Sequence, residues 1–201
     1  MCFLSQQIKS ALELENRHNA KFEPNSEYVP SAYNGFEHPK TPVIANCNVN
    51  SINMFQWGLI PSWATDKSIQ KYTLNAKIET IHEKPSFKSS LNKRCLVLCD
   101  AFYEWQWLDS KGKRKQKYKI YLPNNESFAF AGLWNEWTDK NTGEIIKSYT
   151  ILTTEANELM SKIHNSKKRM PIVLRNGKES DWLVENKIID NNYNLIAEKL
   201  I

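Results

Sequence analysis

This sequence predicts a single α+β domain, and three observations carry that reading. Strand-like runs are numerous and follow one another across tight turns. Helical spacing is confined to the start, one inner segment and the end of the chain. No repeat, linker or low-complexity tract interrupts the 201 residues, so residues 1–201 form one domain. A chain of this length can bury a full hydrophobic core without disulfides.

The elements follow in order. Residues 5–20 have helical spacing at Ile8, Ala11, Leu12 and Glu15, with Ser5 as the N-cap. Pro24, Pro30, Pro39 and Pro42, with an Asn34-Gly35 turn, mark a loop-rich stretch. Strands are expected at 43–47, 54–59, 95–107, 116–122, 128–137 and 146–153, with hairpin turns at 109–112 and 141–143. Thr154 caps a second helix that runs to about His164, with Glu155 and Glu158 in its first turn. Residues 170–174 form one more strand, and short helices at 180–185 and 191–200 finish the chain.

Composition narrows the functional classes. Hydrophobic residues make up 41% and charged residues 24%, which excludes a disordered chain. Mean hydropathy is −0.58. No apolar run approaches the ~18 residues of a spanning helix, so no membrane association is expected. The first residues lack the basic and apolar regions of a signal peptide, and the expected location is the cytoplasm, associated with the nucleoid when DNA is bound. The formal charge of +5 permits a polyanionic partner. Cys95 and Cys99, with Val97 between them, share one face of a strand and read as core thiols. No metal or cofactor is expected.

Several residues could carry chemistry. Lys111, Lys113, Arg114, Lys115, Lys117 and Lys119 crowd one hairpin opposite Trp105 and Trp107, and Lys167, Lys168 and Arg169 follow the second helix. Cations beside rings suit single-stranded nucleic acid, although lysines at a hairpin also keep an exposed edge soluble. Trp57 to Trp63 is a strand breaking into a turn between two tryptophans. It is either packing or an aromatic wall beside a ligand. Asn75 could cap a helix or bind a ligand oxygen. Glu104 sits among aromatic residues that would raise its pKa, unless it points to water. His164, at a helix end, is expected to keep its proton. Cys2 is distinct, because removal of Met1 would leave an amino-terminal 1,2-aminothiol. Its amine, with a pKa of ~7.7–8.0, can form an imine with an aldehyde, and its thiol can then close a thiazolidine ring.

Cys2, the segment Trp57-Gly-Leu-Ile-Pro-Ser-Trp63, Asn75-Ala-Lys-Ile-Glu-Thr80, Phe102-Tyr-Glu-Trp105, and His164 with Arg169-Met-Pro171 occur here in order. Together they resemble the SOS response-associated peptidase (SRAP) family over about residues 2–175. The resemblance implies curved, mostly antiparallel sheets forming a barrel-like core with flanking helices. It also implies an abasic-site processing protein, acting as a monomer on single-stranded DNA and cross-linking to the ring-opened sugar, with lyase-like, self-releasing activity. By position, Cys2 would be the nucleophile and Asn75 would hold the sugar or the amino terminus. Glu104 would transfer protons, and His164 would promote ring opening and reversal. Lys77 would hold a phosphate in a slot where the family carries arginine. Trp57 and Trp105 would border the DNA groove, with Lys168 and Arg169 also on DNA. Two other readings use the same residues: a cysteine autopeptidase with incidental DNA binding, and a non-enzymatic single-strand-binding module.

Overall fold

The computed structural model describes residues 2–185 and 194–201. Its strands are β1 (Leu4–Gln7), β2 (Lys21–Phe22), β3 (Ser31–Asn34), β4 (Lys40–Ala45), β5 (Asn48–Trp57), β6 (Asn75–Lys77), β7 (Arg94–Cys99), β8 (Ala101–Trp107), β9 (Lys115–Tyr121), β10 (Phe128–Thr138), β11 (Ile145–Glu155), β12 (Arg169–Pro171), β13 (Val173–Leu174) and β14 (Ile196–Lys199). Among the described residues three short α-helices accompany them: α1 (Ala11–His18), α2 (Pro85–Lys88) and α3 (Glu158–Ile163).

The strands form two sheets. In the larger one, β5, β4, β7, β10 and β11 are antiparallel neighbours in turn. A parallel contact between β11 and β5, pairing Ser148 with Gln56 and Tyr149 with Trp57, closes these five strands into a barrel. The second sheet has the order β14-β9-β8-β1-β3. The α+β fold and barrel-like core expected from the sequence are both present.

Alternation along the barrel strands separates two cores. On β7, Cys95, Val97 and Cys99 join one cluster, which includes Phe55, Trp57, Phe130 and Tyr149 and reaches Phe102 and Ile120 of the second sheet. Leu96 and Leu98 face the other way, into a cluster with Leu14 of α1, Ile44, Ile52 and Leu152. A strand buried on both faces needs an unbroken apolar run, and Cys95 to Cys99 supply one. Gly132 is required where β10 meets its neighbours. A Cβ there would lie 2.8 Å from the Thr150 carbonyl oxygen and 2.9 Å from Cys95 Sγ.

The structure redraws four expected elements. The first segment is not one helix, because residues 4–7 form β1 between β3 and β8. The helix starts later, where Ser10 and Glu13 form a reciprocal capping box. The long strand expected at 95–107 breaks at Asp100. Its carboxylate accepts from Gln6 Nε2 and the Ile8 amide, each at 2.7 Å, and the chain passes there from barrel to second sheet. Thr154 lies within β11, and the true cap of α3 is Asn157, which accepts from the Met160 amide. The expected helix at 191–200 falls partly outside the described residues. Within them, Ile196–Lys199 is strand β14 on β9, with Ala197 turned toward the core.

Candidate active site

Four separate elements converge on Cys2. β1 delivers it by antiparallel pairing with β8, where Leu4 opposes Tyr103 and Ser5 opposes Phe102. β6 delivers Asn75 by parallel pairing with β11, where Asn75 opposes Ile151. The Asn75 amide donates to the Cys2 carbonyl oxygen at 2.9 Å. Its own carbonyl oxygen, Oδ1, is buried and has no hydrogen-bond partner among the described residues, so it can accept from an amine or hydroxyl.

Glu104 points inward from β8. It is 4% exposed, while Tyr103 and Trp105 on either side are partly exposed. Burial pushes its carboxyl up to about 7. The Cys2 thiol is fully buried, donates to the Leu4 carbonyl at 3.7 Å, and is also pushed well up. Burial is the main cause, with the nearby Glu104 charge adding to it.

The end of α3 brings His164 to this strand. Gln106 Nε2 donates to the Lys162 carbonyl at 3.0 Å, and Asn165 bonds the Trp107 backbone through both its amide groups. The turn back to β12 is made by Lys168, with φ of 48°. It sets His164 Nδ1 at 2.8 Å from the Arg169 carbonyl and 3.1 Å from its amide. The sequence led us to expect a protonated imidazole here. Burial instead pushes it down to about 4, outweighing the end of a one-and-a-half-turn helix, so His164 is neutral at pH 7.

The expected DNA contacts fare unevenly. Lys77 is exposed and, two residues after Asn75 on the same strand, lies on the same side of it. Lys168 is exposed as well. Trp57 does not border a groove. It is 0% exposed, stacks on Tyr149 with centroids 6.1 Å apart, and donates to the Leu74 carbonyl at 2.9 Å. Its role is to hold the residue just before Asn75. Arg169 is not presented to DNA either. Its guanidinium is paired in a fork with Glu79 at 2.8 and 2.9 Å and donates to the Thr153 carbonyl at 2.6 Å. Trp105 is partly exposed, on the face of β8 opposite Glu104. Trp63, at the other end of the Trp57–Trp63 segment, is 55% exposed. The motif contains both rings, but only the barrel closure at Trp57 reveals which is inside.

The chain belongs to a known class of proteins with this fold. The sequence model of the SOS response associated peptidase (SRAP) family matches residues 1–199. Among named relatives, the abasic site processing protein YoaM of Bacillus subtilis (strain 168) is 42% identical over 165 residues, covering 81% of this chain and 70% of YoaM. The abasic site processing protein HMCES of Xenopus tropicalis is 33% identical over 192 residues, covering 79% of this chain and 55% of HMCES. A crystal structure of a Bacteroides thetaiotaomicron protein superposes with a TM-score of 0.88 at 30% identity, covering 100% of this chain and 92% of that one.

Proposed function

We propose that this protein processes abasic sites in single-stranded DNA by forming a thiazolidine cross-link through Cys2 once Met1 is removed. The observation that carries this reading is the pairing of Cys2 with a buried carboxyl whose pKa lies near neutrality. The relatives named above as abasic site processing proteins support the substrate class.

The chemistry divides among the chain's own residues. A ring-opened abasic sugar presents an aldehyde. The Cys2 amine adds to it, water leaves, and an imine results. The thiol sulfur then attacks the imine carbon and its proton passes to nitrogen, so the whole sequence loses one water. Loss of the hydroxyl needs an acid, and Glu104 holds a proton for part of the population at pH 7. Neutral His164 can only accept, which suits removal of the sugar hydroxyl proton during ring opening. In the tautomer whose Nδ1–H donates to the Arg169 carbonyl at 2.8 Å, the basic nitrogen is Nε2, and that transfer falls to it. The vacant acceptor of Asn75 would orient the amine or a sugar hydroxyl. Release retraces the same proton transfers.

The autopeptidase reading is less well supported. It needs the Cys2 thiolate as first nucleophile, and both burial and the Glu104 charge oppose that ion. Amine-first attack has no such requirement. The test is incubation of the Met1-free protein with uracil-excised single-stranded DNA, then denaturing electrophoresis. A heat-stable shifted band is expected with abasic DNA, and none with intact DNA. Absence of that band would overturn the proposal.

Lys77 gives a separate electrostatic prediction. Each phosphate contact on a single strand contributes a log–log salt slope of roughly −0.7. Lys77→Ala should weaken non-covalent binding and flatten the slope by about that amount, on intact and abasic strands alike. A titration series in salt checks this, and an unchanged slope would remove Lys77 from the DNA contacts.

A further inference from the structure

The hairpin that is richest in lysine forms part of a surface that the active site does not use. On β8, Tyr103, Trp105 and Trp107 lie on the face opposite Glu104. Their cross-strand partners on β9 are Lys119, Lys117 and Lys115 in that order. Residues paired in this way share a face of the sheet, so rings and ammonium groups alternate over the outer side of the second sheet. The Lys115 Nζ sits 5.8 Å from the Trp107 ring centroid, Lys117 lies 5.5 Å from Trp105 and 4.5 Å from Tyr103, and Lys119 lies 5.7 Å from Tyr121.

Edge protection does not explain all of these lysines. β9 is bonded to β8 along its length and to β14 over Tyr118–Tyr121, so Lys119 lies on an inner stretch, and the Lys117 carbonyl accepts from the Leu200 amide. The surrounding charge is also mostly of one sign. Lys111, Lys113 and Arg114 extend the basic stretch into the turn, where Asp109 is engaged by the amides of Lys111, Lys113 and Arg114. The acidic residue facing the ladder is Glu198, across from Lys119. Rings spaced two residues apart, each beside a cation, suit bases that stack and phosphates that pair.

We propose that this outer face is a second nucleic-acid surface, which holds an undamaged single strand on the side of β8 away from Glu104. Phosphates take over the ammonium groups of Lys115, Lys117 and Lys119 while bases lie against Trp105, Trp107 and Tyr103. The surface is independent of Cys2, so its test stands whether or not cross-linking occurs.

The experiment is fluorescence anisotropy of the full chain with a labelled oligothymidylate that carries no abasic site. The variant Lys115→Gln, Lys117→Gln, Lys119→Gln keeps side-chain length and removes the charge. It should lose about tenfold or more in affinity, and its salt slope should flatten by roughly 2, from three contacts at ~0.7 each. Trp105→Ala should lose binding too, with less quenching of intrinsic tryptophan fluorescence by the strand. At saturating abasic DNA the lysine variant should cross-link within about twofold of wild type, which also shows that it is folded. The proposal is overturned if the lysine variant binds the intact strand within twofold of wild type, or if wild type binds a blunt duplex better than the single strand.

Discussion

Cys2→Ser, with Met1 removed, is expected to yield no heat-stable adduct with abasic single-stranded DNA. Serine keeps the α-amine and so can still form an imine, but an imine hydrolyses, and the hydroxyl closes its ring far less readily than the thiol. The difference from wild type should therefore be near-complete in unreduced samples and small after borohydride trapping. The fold should tolerate the change. Cys2 is a small buried residue with one weak hydrogen bond to the Leu4 carbonyl, and serine can replace that bond. A melting curve beside the adduct assay separates lost chemistry from lost folding. Equal yields of unreduced adduct from the two proteins would exclude the thiazolidine.

Glu104→Gln carries the second large effect. The amide keeps the shape of the side chain in its buried place but cannot give up or take back a proton. A positioned acid or base typically contributes roughly 10²–10⁴-fold, so cross-linking should slow by a factor in that range while DNA affinity changes little. The pH profile adds a sign. In wild type the rate should rise with pH as the amine, with a pKa of ~7.7–8.0, loses its proton. It should fall again as Glu104, at about 7, ionises. In the variant the descending limb disappears and the rate climbs to a plateau.

The same shift predicts a stability effect. Burial lifts the Glu104 carboxyl from the ordinary value of 4.5 to about 7 in the folded chain. Between those values the folded protein holds a proton that the unfolded chain has released. Glu104's contribution to wild-type stability should therefore fall as pH rises through that window. The variant should lack this component, and chemical denaturation of both proteins across pH 4.5–7 measures it.

The parts of this arrangement legible in the sequence were those set by local periodicity. The two-faced burial of residues 95–99 follows from an unbroken apolar run, and both hairpins announce themselves by their turn residues. The inward direction of Glu104 follows from its place between Phe102 and Gln106, but only once β8 is known to pack one face on the core. What stayed hidden was set by tertiary pairing. Residues 4–7 lie in a stretch with helical spacing, yet they become a strand because β3 and β8 offer edges on both sides. The carboxylate of Asp100 breaks a run that looks continuous, through partners more than 90 residues away in sequence. The segment after the second helix places Arg169 beside Glu79 rather than on the surface, a contact that no spacing rule reveals. The proton state of His164 depended in the same way on how deeply α3 packs against β8.

Both the amine and the thiol of Cys2 are expected to bond to one carbon of the abasic sugar. Mass spectrometry of the nuclease- and protease-digested adduct tests it directly. A thiazolidine leaves a remnant on the amino-terminal peptide, lighter by one water than the sum of peptide and sugar fragment, with a Cys2 thiol that no longer reacts with an alkylating agent. A remnant on a lysine such as Lys77, or on Cys2 with the thiol still open to alkylation, would contradict it.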